Sequence, residues 1–431
     1  MTSIFLFFLT ATARSQPDPR PDTPPWLQLS FEQRTRYERL TNPFRYGELV
    51  TEELLPLRTR LKLEIGEANK PVGFLMEFQD SRAFLNDKDI FLAPAHINRH
   101  DFLQLQMQFN SSDFLGKGLE SRVTVGRFTR DLGKRRLVAR NGMRNTTNAF
   151  DGVLWSLTAP TNWRIQTFFT SPVIIDPEEL DSSNSDRFFW GVYYENMHWK
   201  CLRTEVYYLG LWESGQTLTR RQHSTIGTRI YRNESRGSFD FEIESAWQFG
   251  TIRNQDHFSH LQHGELGYSF NAPWSPRLSV QYDYAEGDGN PEDHRSGRFD
   301  TLFGARSFEY TPTGIFGPVY RSNLNSPGIR FVFDPIRPLV ITASHRVLWL
   351  ARAKDVWVGT GLQDPTGRSG KTLGQSFEAN VKWKPKEFFL LEFGYAHFFK
   401  GSYLYRTPGS PNTGDSNYFF IATEIQAQLF R

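Results

Sequence analysis

Along most of this chain, hydrophobic and polar residues alternate one for one. Between Trp26 and Glu38, Leu27, Leu29, Phe31 and Tyr37 fall on one side. Gln28, Ser30, Glu32, Arg34, Arg36 and Glu38 fall on the other. Leu57, Leu61, Leu63 and Ile65 alternate with Arg58, Arg60, Lys62 and Glu64, and Leu103, Leu105, Met107 and Phe109 with Gln104, Gln106 and Gln108. The same period recurs at 239–248, 278–284, 377–383 and 419–429. A two-residue period is that of a β-strand with unlike environments on its two faces.

Eighteen such segments can be traced, with sixteen as the alternative count. They begin near residues 26, 55, 71, 99, 119, 150, 162, 186, 197, 222, 236, 257, 275, 325, 337, 374, 387 and 416. Connectors alternate between short ones (66–70, 159–161, 233–235, 271–273, 385–386) and long ones (80–98, 131–148, 286–324, 351–374). An even strand number with short turns on one side and long loops on the other is the pattern of an outer-membrane barrel. The predicted fold is therefore all-β, a transmembrane antiparallel β-barrel over residues 26–431. A soluble sandwich or propeller also alternates. Its strands average about 5 to 6 residues, shorter than these segments, and no propeller period repeats along the chain.

Composition narrows the class. Hydrophobic residues make up 39% of the chain, and the mean hydropathy is -0.51. An apolar run of roughly 18 residues, the length a membrane-spanning helix needs, does not occur. A barrel escapes that requirement, because only every second strand residue faces lipid. A net charge of +3 carries no bulk nucleic-acid signal. The single cysteine, Cys201, forms no internal disulfide. At the N-terminus, Ile4 to Leu9 is a short apolar core and Ala11-Thr12-Ala13 resembles a cleavage site, although no basic residue precedes the core. Residues 1–15 read as a signal peptide and 16–25 as a Pro-rich linker.

With the apolar set toward lipid, the charged set lines the lumen. It includes Arg34, Arg36, Arg58, Arg60, Lys62, Arg164, Arg229, Arg330, Arg346 and Lys382, facing Glu32, Glu64, Glu77, Asp240, Glu242, Glu244, Asp283 and Glu378. Arginine keeps its charge at any working pH and grips carboxylates with a two-pronged fork. A ladder of them can replace the hydration of an anionic sugar and hand it along, provided each site binds weakly. The other reading of each single arginine is a brace to a glutamate on a neighbouring strand. Trp26, Trp212, Phe398 and Tyr403, near strand ends, fit interfacial aromatic girdles.

Several stretches resemble the alginate export family of outer-membrane porins. One is Val123-Thr-Val-Gly-Arg-Phe-Thr-Arg-Asp-Leu-Gly-Lys-Arg-Arg-Leu-Val138, followed by Asn148-Ala-Phe-Asp-Gly-Val153. A second is Tyr284-Ala-Glu-Gly-Asp-Gly-Asn290 with Phe299-Asp-Thr-Leu-Phe303, and a third is Gly394-Tyr-Ala-His-Phe-Phe-Lys-Gly-Ser-Tyr403. The resemblance runs from about residue 27 to the end. It implies a monomeric 18-stranded barrel in the bacterial outer membrane, an Arg-lined electropositive constriction and passage of a polyuronate or related sugar. By position, it makes Arg127, Arg130 and Arg136 candidate lumen or constriction residues. It also singles out Asp80 and Arg82, where the family tends to carry Asp and Arg. Phe128 departs from the family's Gln, and the expected terminal aromatic, Phe430, is penultimate.

Other chemistry is set aside. His260 and His263 have a spacing that suits a metal on a helix, but on a strand they point to opposite faces. Asp283 and Glu286 are two among many carboxylates, and no Gly-x-Ser-x-Gly elbow is present. Three functions are compatible with such a barrel: a porin for anionic saccharides, a general diffusion porin, and an outer-membrane enzyme, for which the sequence shows no catalytic cluster. The expectation is a porin without catalysis, cofactor, metal or nucleic acid. Its expected partners are an anionic or polar saccharide, outer-membrane lipid and a periplasmic secretion scaffold.

Overall fold

In the computed structural model the chain closes into one antiparallel barrel. The structure describes residues 26–430 apart from 48–50, 67–69, 86–95, 161, 200, 215–219, 307–308, 311–316, 318 and 412. The signal-peptide and linker readings of residues 1–25 lie outside the described residues.

The barrel strands are β1 (Leu27–Thr41), β2 (Glu52–Ile65), β3 (Val72–Phe84), β4 (Asn98–Phe114), β5 (Leu119–Phe128), β6 (Phe150–Ala159), β7 (Trp163–Ile174), β8 (Arg187–Asn196) and β9 (Arg203–Glu213). They continue with β10 (Arg221–Arg232), β11 (Ser238–Ile252), β12 (Gln255–Ser269), β13 (Arg277–Ala285), β14 (Leu324–Ile336), β15 (Leu339–Trp349), β16 (Thr372–Lys386), β17 (Phe389–Lys400) and β18 (Ser416–Phe430). Each pairs with its chain neighbour, and β1 pairs with β18 from Leu29↔Phe430 to Thr41↔Asn417, so the sheet closes on itself. Closure removes the unpaired edge that lipid cannot solvate. Two two-residue pieces, Ser182–Ser183 and Arg295–Ser296, add to it, and one short helix, α1 (Ser402–Arg406), lies in the last loop.

Eighteen strands match the predicted number, and the predicted starts fall close to the observed ones, with one exception. The segment expected from 197 begins at Arg203, because the alternation runs on through a turn.

The pleat sorts the residues as expected. Met107, Val125, Phe169, Ile226, Phe258 and Ile425 are exposed on the outside, whereas Arg34, Arg58, Glu77, Asp240, Glu244 and Arg346 are buried toward the axis. Inward residues are buried because two long loops fold into the bore: 129–149, between β5 and β6, and 286–323, between β13 and β14. Two of the expected girdle aromatics belong to a different cluster. Phe398 faces inward beside Phe44 and Trp357, and Tyr403, on α1, is fully buried. Both are buried at one rim instead of meeting lipid. Trp26 is exposed, and Trp212 lies against Phe188 with the two rings tilted.

Candidate functional site

The bore is shaped by the two inward loops. They pair with each other through a parallel bridge, Val138↔Phe303. Phe303 N–H donates to the Leu137 carbonyl at 2.9 Å, Ala139 N–H to the Phe303 carbonyl at 3.0 Å, and Ala305 N–H to the Arg135 carbonyl at 2.9 Å. A Cβ on Gly304 would run into the Arg136 carbonyl, so this close approach needs glycine there. The apolar side of the pair, Leu137, Val138 and Phe303, packs against Phe128, Phe150 and Phe189 of the wall. That burial drives the loops inward, and their polar sides meet two differently charged walls.

On the β1–β3 wall the register sets Arg34 opposite Arg58 and Glu32 opposite Arg60. Arg34 Nη1 and Nη2 donate to the carbonyls of Gly142 and Arg144, both at 2.7 Å. Arg58 Nη1 donates to the same two carbonyls at 2.7 and 3.0 Å, and Arg58 Nη2 pairs with Glu32 at 2.6 Å. Arg36 donates to the Met143 carbonyl at 2.6 Å and pairs with Glu38 at 2.6 Å. Arg60 donates to Gln79 Oε1 at 2.9 and 2.8 Å and to Thr147 Oγ1. From the loop, Arg140 pairs with Glu77 at 2.6 Å. Asn145, fully buried, donates Nδ2 to the carbonyls of Leu57 (3.1 Å), Arg82 (3.0 Å) and His96 (2.8 Å).

The wall from β9 to β14 holds its arginines with carboxylates. Arg136, from loop 129–149, pairs with Glu242 at 2.5 Å and with Glu244 and Glu309 at close range. Glu309 comes from loop 286–323, so one guanidinium pins both loops to β11. Arg229 bridges Glu205 (2.7 Å) and Glu242 (2.8 Å), and Arg321 pairs with Glu309. Arg346, from the adjacent β15, pairs with Asp283 at 2.8 Å, and His263 Nδ1 meets the same carboxylate at 2.8 Å. Burial alone would raise the Glu309 carboxyl, but Arg136 and Arg321 overcome it and hold that group well below the usual carboxylate range. Glu242, His263 and Glu309 come within 4.8 Å of one another, a set able to hold a cation. Arg136 already sits on both carboxylates, so its guanidinium takes the place a metal would have.

Arg330 and Arg130 differ from these. Arg330 is half-buried on the inner face of β14, and its Nε and Nη2 have no hydrogen-bond partner. Arg130, half-buried just beyond β5, has an unpartnered Nε and lines a cavity of about 560 Å³ with Gln106, Gln108, Arg122 and Arg164. Burial and the neighbouring Arg164 push its guanidinium down to about 10, which still leaves it charged at neutral pH. A second cavity, of about 800 Å³, runs along β1–β3 on the short-turn side and is lined by Glu32, Arg60, Lys62, Glu64, Glu77 and Arg140. Lys62 pairs there with Glu64 at 3.2 Å.

Three candidates need correction, because they point away from the lumen. Arg127 lies opposite Leu105 on the outer face, where it pairs with Asp151 at 2.9 Å and Asp101 at 3.4 Å. Asp80 and Arg82 share the outer face with Phe78 and Phe84, pair at 3.1 Å and adjoin His100. They sit at the ends of strands beside the long loops and brace the outer rim. There the Asp181 carboxyl, in loop 175–186, is pushed up to about 7 by burial and by the neighbouring Asp101. Asn145, Glu309, Arg321 and Arg140 escaped the sequence reading, since loops carry no period.

The family described as Alginate export matches residues 25–417. No curated protein matches the chain. Among solved structures, Pseudomonas aeruginosa OccK2 (OpdF) in complex with glucuronate is similar at a TM-score of 0.63 and 11% identity, covering 94% of this chain and 98% of that one. Acinetobacter baumannii OccAB2 is similar at 0.62 and 10%, with 94% and 98% covered. Pseudomonas aeruginosa OpdO is similar at 0.60 and 14%, with 95% and 99% covered.

Proposed function

The chain belongs to the alginate export family, and we propose that this outer-membrane porin passes anionic saccharides of the uronate kind by facilitated diffusion along its arginine-bearing inner wall. Family and fold together place it in the bacterial outer membrane and are those of transporters rather than enzymes.

One observation carries the choice of solute: the Arg330 guanidinium, on the inner face, has two N–H-bearing nitrogens that no protein group accepts from. A carboxylate is the partner that satisfies such a fork best. Arg122 and Arg130 at the smaller cavity, neither of them paired with a carboxylate among the described residues, add further cationic stations. The glucuronate bound by the OccK2 neighbour is a sugar of the same class. General diffusion is the second reading. It is favoured by Glu32, Glu64, Glu77 and Glu387, which line the larger cavity beside the cations and admit solutes of other charge.

Single barrels in planar bilayers test the choice. A glucuronate trimer is expected to block the current saturably, and Arg330→Gln to weaken that block about ten-fold, the loss of one charge-assisted hydrogen bond. Equal block by a neutral trisaccharide would favour general diffusion. Absence of block by any sugar would refute the saccharide reading.

A further inference from the structure

Arg34 stands apart on its wall. Among the described residues, no carboxylate accepts a hydrogen bond from it, its Nε is buried without a partner, and the residue is 4% exposed. Its two Nη groups go to the carbonyl oxygens of Gly142 and Arg144, and Arg58, directly opposite, gives Nη1 to the same two oxygens. Two oxygens thus bridge two guanidinium groups, the arrangement one carboxylate would make. Yet both oxygens are neutral backbone carbonyls, set between two like charges whose direct juxtaposition is unfavourable.

The nearby carboxylates are committed elsewhere. Glu32 is held by Arg58, Glu38 by Arg36, and Glu77 by Arg140 and Gln104. Glu424, opposite Arg34 on β18, accepts from Gln426 at 2.5 Å.

We propose that Arg34 and Arg58 form a binding site for a sugar carboxylate, occupied in the resting barrel by the carbonyls of Gly142 and Arg144. The incoming carboxylate displaces the 142–144 tip and takes its place in the bore. The choice of ligand rests on the saccharide reading above.

Three features support the exchange. A carboxylate brings the negative charge that two facing guanidinium groups lack, so it outcompetes the neutral carbonyls. The cavity of about 800 Å³ reaches Glu32, the ion-pair partner of Arg58, and Arg140, in the loop just before the tip. Between its two anchors the tip is tied to the wall through neutral carbonyls, those of Gly142 and Arg144 to Arg34 and Arg58 and that of Met143 to Arg36. Asn145 holds one side through its three carbonyl contacts. On the other, Arg140 N–H donates to Asp131 at 2.7 Å and the Arg140 carbonyl accepts from Asn148 N–H at 3.2 Å. Gly142, between them, is exposed.

A polarity-sensitive fluorophore on Gly142→Cys, in a Cys201→Ser background, reports the tip. A Cβ at 142 meets nothing within 4 Å, so the site accepts a side chain. In the reconstituted full-length barrel, a glucuronate trimer is expected to shift the emission saturably, whereas maltotriose leaves it unchanged. Adding Arg34→Gln is expected to abolish the ligand-dependent shift. If the trimer blocks current while the label stays unmoved, the displacement is wrong and the saccharide reading stands. If the trimer neither blocks nor shifts, the saccharide reading fails and the inference falls with it. An equal shift by maltotriose overturns the carboxylate site.

Discussion

On the β1–β3 wall, Arg34 and Arg58 reach out to the loop 129–149 backbone and grip neutral carbonyls. On the β9–β14 wall the same loop sends Arg136 into Glu242 and Glu244, and Glu309 joins from loop 286–323. Both are arginine contacts between wall and loop, yet their energetics differ. A buried carboxylate that loses its cation is left uncompensated, at a cost of roughly 3–5 kcal/mol. A carbonyl that loses one donor costs about 1–3 kcal/mol, and less where water can replace it. One wall therefore fixes the plug through ion pairs, and the other holds the 142–144 tip more weakly, through neutral carbonyls. Counting arginines along a lumen does not reveal which of them are available; the acceptor each one already has decides that.

The largest effect is expected from Arg136→Ala. Glu244 would lose its cation, Glu242 and Glu309 would be left with Arg229 and Arg321, and both loops would loosen. Thermal unfolding should register a loss of roughly 3–5 kcal/mol, with a raised ligand-free current. Next is Arg34→Gln, which should raise the ligand-free current while costing about 1–3 kcal/mol. Equal or reversed effects for these two variants would break the comparison.

A pH series separates the two grips in a third way. The Glu309 carboxyl is depressed below its ordinary 4.5. A depressed carboxyl stabilises the fold above its ordinary value, and that contribution is lost only as the pH falls toward the depressed one. Current should therefore hold steady from pH 7 to below about 4.5 and rise only under stronger acid, because the carbonyl contacts offer no acceptor to titrate. A rise already near pH 6 would contradict the role given to Glu309. The smallest effect is that of Arg127→Gln. Since Arg127 lies outside the bore, the reversal potential in a KCl gradient should not move, whereas Arg330→Gln should shift it toward cations.

The barrel itself was legible because lipid outside and charge inside write a period of two into every strand. The period misled at Met197 to Leu202, where residues alternate through a turn and delay β9 to Arg203. For Arg127 it held the answer: Val123, Val125 and Arg127 share one face, and the motif reading overrode that alternation. Asp80 and Arg82 share the face of Phe78 and Phe84 in the same way. The loop contacts were not legible. Arg34 meets Gly142, and Arg136 meets Glu309, across long stretches of sequence with no repeating pattern. Which arginines remain free is settled by those contacts alone.

Hydrogen exchange of the folded barrel most directly compares the grips on the two loops, because local openings of unequal cost exchange at unequal rates. The amides of residues 142–144 should exchange faster than those of Phe303 and Ala305, and a glucuronate trimer should accelerate the first set without affecting the second. If both segments exchanged together at one rate, with or without the trimer, the distinction between carbonyl-held and carboxylate-held loops would be wrong.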